Sequence, residues 1–80
     1  MKILIIDDDE FLLPMYFAKF KEAGFEVESA KNGEESIEKA KVLVPDIILV
    51  DMVMPNMDGF ETIKLLREIV GERSKIIALY

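Results

Sequence analysis

Two places in the chain concentrate side chains able to do chemistry, and both are acidic. Asp7-Asp8-Asp9-Glu10 follows the apolar run Ile3-Leu4-Ile5-Ile6, and Asp51 follows the apolar run Ile47-Ile48-Leu49-Val50. If the two runs are neighbouring strands, Asp7, Asp8 and Asp51 converge on one crevice. Like charges that close raise the pKa of at least one carboxyl unless a cation neutralises them. A hard divalent cation such as Mg2+ suits this set: it takes oxygen ligands and is held by one or two carboxylates, with carbonyls, waters and phosphoryl oxygens completing its shell. A carboxylate beside such an ion can also attack phosphorus and form an acyl phosphate. The plainer alternative is that Asp7, Asp8 and Asp9 cap the helix that follows and that Asp51 forms a turn. Each acid taken alone suits the plainer reading; the coincidence of two apolar runs ending in acids favours the cation site.

Composition removes several other chemistries. The 80 residues contain neither cysteine nor histidine. Disulfides, thiolate or imidazole zinc sites and any triad needing an imidazole are therefore excluded. A net charge of −6 argues against binding nucleic acid through bulk electrostatics. No apolar run approaches the roughly 18–20 residues that cross a bilayer, and Met1–Ile6 running into four acids is not a leader segment. The expectation is a cytoplasmic chain forming one small domain over residues 1–80, without membrane or nucleic-acid partners.

The elements that must position the acids alternate along the chain. Ile3–Ile6 reads as a strand buried on both faces. Phe11–Ala23 reads as a helix with Gly24 as its left-handed terminator, and Phe25–Ala30 as a half-buried or edge strand. Pro14 falls early in the first helix, which is expected to begin near Glu10 or Phe11, with any kink at the proline. Asp9 is expected to start that helix. Asn32-Gly33 reads as a turn, Glu34–Leu43 as a second helix stopped by Pro45, and Ile47–Val50 as a second buried strand. Met52–Gly59 is a loop with Pro55 and Asp58-Gly59 as breakers, and Asp58 is a candidate cap for the helix at Phe60–Val70. Met54 and Met57 are read as loop packing. Lys75–Tyr80 is a last apolar strand. The order β-α-β-α-β-α-β implies right-handed crossovers and a parallel α/β sheet, with its ligand crevice beyond the carboxyl ends of the strands.

With these residues in place, the chain resembles the receiver domain of two-component response regulators, the CheY-like fold. The resemblance rests on Ile3–Glu10, Gly24-Phe25-Glu26-Val27, Ala30–Glu35, Pro45–Asp51 and, most specifically, Asp51-x-x-Met54-Pro55-x-Met57-Asp58-Gly59. It implies a truncated flavodoxin-like sheet of strand order 2-1-3-4, and receiver folds are among the examples of that order. It implies that Asp51 is the phosphoacceptor, that Asp8 ligates Mg2+ directly, that Asp7 acts mostly through water, and that Val53 supplies a backbone carbonyl to the ion. It implies a signalling domain rather than an enzyme, phosphorylated by a sensor histidine kinase or a phosphotransfer protein. It also implies that the family's lysine, which follows a fifth strand, falls beyond residue 80, since Lys64 and Lys75 lie in the wrong elements. Tyr80 occupies or adjoins the place of the family's switch Ser or Thr.

In the family fold the fourth strand pairs with the fifth and the first helix packs beside the last. The first helix here is apolar almost all round. Leu12, Tyr16, Phe20 and Ala23 are expected to face the sheet, and Leu13 and Phe17 to form a second apolar face. The terminal strand is an apolar edge. A homo-oligomer joined through the terminal strand, the first helix or both is the expectation. Two alternatives accompany the receiver reading. One is a receiver-derived fragment that binds Mg2+ and oligomerises but does not switch. The other is a Mg2+-dependent hydrolase with an aspartyl nucleophile; Val53, where such enzymes place a second acid, counts against it.

Overall fold

Strands of five residues alternate with helices of about three turns. The computed structural model describes residues 1–55 and 58–79. Its elements are β1 (Lys2–Ile6), α1 (Leu12–Glu22), β2 (Glu26–Ala30), α2 (Gly33–Leu43), β3 (Ile47–Asp51), α3 (Gly59–Val70) and β4 (Lys75–Leu79). The strands form a parallel sheet in the order β2-β1-β3-β4. No helix among the described residues is long and apolar enough to cross a membrane.

β1 is the keel. Ile3, Leu4, Ile5 and Ile6 are all essentially inaccessible, because strands flank β1 on both sides and helices cover both faces. On one face, Leu4 and Ile6 join Ile48, Val50, Ala40, Leu66 and Val70 beneath α2 and α3. On the other, Ile3, Ile5 and Val27 meet Leu13, Tyr16, Phe17 and Phe20 of α1. Asp46 pins the amino ends of three strands together. Its Oδ2 accepts from the Lys2 N–H at 2.7 Å and its backbone carbonyl accepts from the Lys75 N–H at 2.9 Å. Ser74, buried in the α3–β4 connection, donates its hydroxyl to the Pro45 carbonyl.

α1 meets the sheet differently from expectation. Tyr16 and Phe20 face the sheet as expected, but Leu13 and Phe17 complete the half-buried stripe at i, i+3, i+4 and i+7, while Leu12 and Ala23 are exposed. A helix apolar on every side does not disclose its inner face through periodicity. Contact with β2 and with Phe25 selects it, and the Phe20 and Phe25 rings meet edge to face at 5.8 Å. The regular helix begins at Leu12, although Phe11 already has helical dihedrals. Asp9 starts the turn as expected: its Oδ1 accepts from the N–H groups of Phe11 (2.8 Å) and Leu12 (3.0 Å). Pro14, lacking an N–H, cannot extend the bonding ladder back to Glu10.

Asn32-Gly33 is the start of α2 rather than a free turn. Asn32 caps the helix, its Oδ1 accepting from the Glu35 N–H at 2.7 Å. The end of α2 carries an uncommon feature: Val44 adopts a left-handed φ of 47°, where a β-branched side chain crowds the backbone. Pro45 disfavours a right-handed helical residue before it. Val44→Gly is expected to raise stability by about 1 kcal/mol, measured as a higher urea midpoint with an unchanged m-value.

Candidate functional site

The parallel pairing of β1 with β3 sets Ile6 opposite Val50, so the residues that follow each strand emerge side by side. Asp7 and Asp8 follow β1, and Asp51 ends β3. Carboxylate oxygens from all three lie within 4.8 Å of one another. The structure thus joins the two acidic ends that the sequence separates by more than forty residues.

Each acid is held differently. Asp7 is 4% exposed and one of its oxygens accepts from the Asp9 N–H at 2.9 Å. Asp51 is half-buried and its Oδ1 accepts from the Val53 N–H at 2.9 Å, which orients the carboxylate. Asp8 is exposed. Asp9 turns away to cap α1, and the N–H groups of Leu12 and Phe11 hold its carboxyl below the usual range. Burial pushes the Asp7 carboxyl above its ordinary value. The Asp9 N–H opposes that shift, while the neighbouring Asp51 carboxylate and the charge of Asp9 add to it. At an effective dielectric of about 20, two full charges at this spacing repel by roughly 3–4 kcal/mol. Either a proton or a cation relieves that repulsion. Three hard oxygen donors at a partly open strand end fit Mg2+.

Asp7, Asp8, Asp9 and Glu10 border a cleft of ≈ 360 Å³ that also takes in Leu13, Pro14, Lys31, Asn32 and Met54. Lys31 and Asn32 enter it because β2 lies next to β1, so the carboxyl end of β2 opens onto the same rim. Neither was singled out for the site from sequence, although the strand order contains the signal. Met54 is 7% exposed and belongs to the core beneath α2 and α3, in keeping with a packing role. Asp58 caps α3, its Oδ1 accepting from the Glu61 N–H at 3.1 Å. Gly59 leaves room for Met52: a Cβ there would stand 2.6 Å from the Met52 methyl carbon and 2.7 Å from its sulfur. Met57 and Tyr80, assigned to packing and to the neighbourhood of a switch position, lie outside the described residues.

An open parallel sheet whose first and third strands deliver three carboxylates to one rim defines a class. The family model for the response regulator receiver domain matches residues 3–79, and this chain belongs to that family. It is 42% identical over 77 residues to the chemotaxis protein CheY of Thermotoga maritima, covering 95% of this chain and 63% of that protein. It is 37% identical over 67 residues to the alkaline phosphatase synthesis transcriptional regulatory protein PhoP of Bacillus subtilis, covering 84% of this chain and 28% of that protein. Among solved structures, chemotaxis protein CheY4 of Vibrio cholerae superposes with a TM-score of 0.89 at 35% identity, over 96% of this chain and 65% of that one. A response regulator crystallised in complex with the histidine kinase ThkA superposes with a TM-score of 0.83 at 30% identity, over 96% of this chain and 66% of that one. The chain therefore spans less than two thirds of the length of these curated relatives.

The raised Asp7 pKa has a sign that can be tested. The folded state holds that proton more tightly than the unfolded chain, so the contribution favours folding at low pH and is lost as pH rises through the folded value. Without a cation, Asp7→Asn is expected to raise Tm at neutral pH by a few degrees. Mg2+ is expected to raise the Tm of the parent chain, more strongly as pH rises above the ordinary carboxylate range, and to leave Asp7→Asn almost unmoved. Thermal scans with and without MgCl2 read both effects.

Proposed function

We propose that residues 1–80 act as one receiver-type unit that accepts a phosphoryl group onto Asp51 in the presence of Mg2+. The donor is a sensor histidine kinase or a phosphotransfer protein. The observation that carries this reading is the meeting of Asp7, Asp8 and Asp51 within 4.8 Å at the carboxyl ends of adjacent strands. Asp51 is the nucleophile. Its carboxylate oxygen attacks the phosphorus of a phosphohistidine, the P–N bond breaks, and the imidazole leaves with the electron pair and takes up a proton. The product is an aspartyl phosphate. The Val53 N–H bond to Oδ1 restrains the rotation of the nucleophile. The kinase complex of a structural relative supports the donor class.

Asp7, Asp8 and Asp51, with the backbone carbonyl of Val53, would hold the ion. Val53 is 71% exposed, and the role proposed for it is played through its backbone. When bound, Mg2+ neutralises charge gathering on the phosphoryl oxygens. The unit signals rather than turns over substrate, and its setting is the cytoplasm. We also propose that the chain self-associates through the terminal strand and the first helix. Ile77 and Leu79 of β4 are 43% and 37% exposed, and Phe11, Leu12 and Met15 form an apolar patch at the start of α1.

Intact-mass measurement after incubation with acetyl phosphate tests the central step. The parent chain with Mg2+ is expected to gain a single phosphoryl group. Asp51→Asn, and the parent chain with excess EDTA, are expected to gain none. A parent chain that Mg2+ stabilises but that never gains mass would remove the phosphoacceptor assignment and favour a cation-binding module that does not switch.

A further inference from the structure

The carboxyl end of β1 has a neighbour on each side. β3 brings Asp51 to one side of Asp7 and Asp8, and β2 brings Lys31 to the other. The register sets Ile6 opposite Ala30, and the Asp7 N–H donates to the Ala30 carbonyl at 3.0 Å. Lys31 is the next residue. One strand spacing, about 5 Å, separates its backbone from the end of β1, and two, about 10 Å, separate it from the end of β3. Asn32 fixes the other side of Lys31, its Oδ1 accepting from the Glu35 N–H at 2.7 Å as the cap of α2. The backbone of Lys31 is thus held between a strand bond and a helix cap. The Ala30 side chain belongs to the core beneath α2 and α3, and alternation turns the next side chain to the opposite face, that of α1. The cleft agrees, since Lys31 lines it together with Leu13 and Pro14 of α1.

Among the described residues, Lys31 is the one base lining the cleft, against the four acids Asp7, Asp8, Asp9 and Glu10. The bases that follow it on α2 are committed elsewhere. Lys39 Nζ donates to the Ser29 carbonyl and lies 3.5 Å from the Glu28 carboxylate and 3.4 Å from that of Glu35. Lys41 lies 3.9 Å from the Glu38 carboxylate. Lys31 is exposed and enters no ion pair among the described residues. Its charge therefore acts on the three acids through space and not through a contact. Across about 10 Å that action is strong at low ionic strength and lost at high salt.

We infer that Lys31 is an electrostatic selector for the acidic site: it lowers the affinity for Mg2+ and favours phosphoryl donors in proportion to their negative charge. This rests on the phosphoryl transfer to Asp51 proposed above and names the class of donor that the site prefers. One positive charge repels a cation and attracts an anion, so the two effects have opposite signs. Lys31 makes no contact with the reacting atoms and sets specificity alone. Two small donors separate charge from the rest of the chemistry. With acetyl phosphate, an Asp51 oxygen attacks phosphorus, the P–O bond to the acetyl group breaks, and acetate leaves with the electron pair. With phosphoramidate, the P–N bond breaks and ammonia leaves after taking up a proton. At neutral pH acetyl phosphate is a dianion and phosphoramidate carries a single negative charge, so the ratio of their rates reads the selection by charge.

Lys31→Gln, Lys31→Glu and Lys31→Arg vary the charge at one exposed position. Mg2+ affinity is read from backbone amide shifts in nuclear magnetic resonance during titration with MgCl2, and phosphorylation from intact mass. In about 10 mM KCl, Mg2+ is expected to bind about threefold more tightly to Lys31→Gln and roughly sevenfold more tightly to Lys31→Glu. At saturating Mg2+, the rate with acetyl phosphate is expected to fall by about the same factors, and its ratio to the rate with phosphoramidate to fall about threefold in Lys31→Glu. Lys31→Arg is expected to keep the parent values, and about 0.5 M KCl to abolish the differences. Tighter Mg2+ together with slower phosphorylation is a pair of shifts that a distorted site does not produce, because distortion weakens both. An unchanged Mg2+ affinity in Lys31→Glu, affinity and rate falling together, or differences that persist in high salt would each overturn the inference. The Mg2+ titration involves no phosphoryl transfer. It therefore judges Lys31 even where a parent chain that never gains mass has removed the receiver reading.

Discussion

The lateral pairing of β1 with β3 is the constraint on which the rest of the structure depends. It sets Ile6 beside Val50 and so fixes where Asp7, Asp8 and Asp51 emerge. The arrangement is electrostatically unfavourable in the absence of a cation, and it is held by burial. Each of the four aliphatic side chains of β1 contributes about 1.5–3 kcal/mol when fully buried. Together they outweigh a desolvation cost for Asp7 on the order of several kcal/mol. The core accordingly holds the acids together. The three acids are brought together at the expense of local stability.

The same sheet order explains the surroundings of the acids. Because β2 lies on the far side of β1, Lys31 and Asn32 reach the acidic cleft; because β3 lies between β1 and β4, Leu79 abuts the Asp51 end of β3. Loop chemistry then refines the geometry. Asp9 and Asp58 are spent on capping α1 and α3, which separates them from the three acids that meet at the strand ends. Gly59 makes room for Met52 beside Asp51. Acids close together in sequence thus have unlike tasks, decided by which backbone N–H groups lie within their reach.

Much of this was legible from residue order. Two apolar runs ending in aspartate announced buried parallel strands and a crevice at their carboxyl ends. The strand–helix alternation specified the class of sheet, and the motif from Asp51 to Gly59 specified the family. The faces of α1 were not legible, since Leu12 and Leu13 are equally apolar and only contact with β2 and Phe25 separates them. Asn32-Gly33 was ambiguous for a related reason: a turn former and a helix cap are the same residue until the next residues commit to a helix.

The sequence by itself determined the chemistry on offer: hard oxygen donors, no thiol and no imidazole. It also determined the alternation of elements, because apolar periodicity and breakers act over a few residues. The tertiary structure decided which acids meet, which side of α1 faces the sheet, and that Lys39 reaches the β2 edge. Those outcomes depend on contacts between residues far apart in the chain. Local pattern cannot rank such contacts, since their energies exist only once the strands lie side by side.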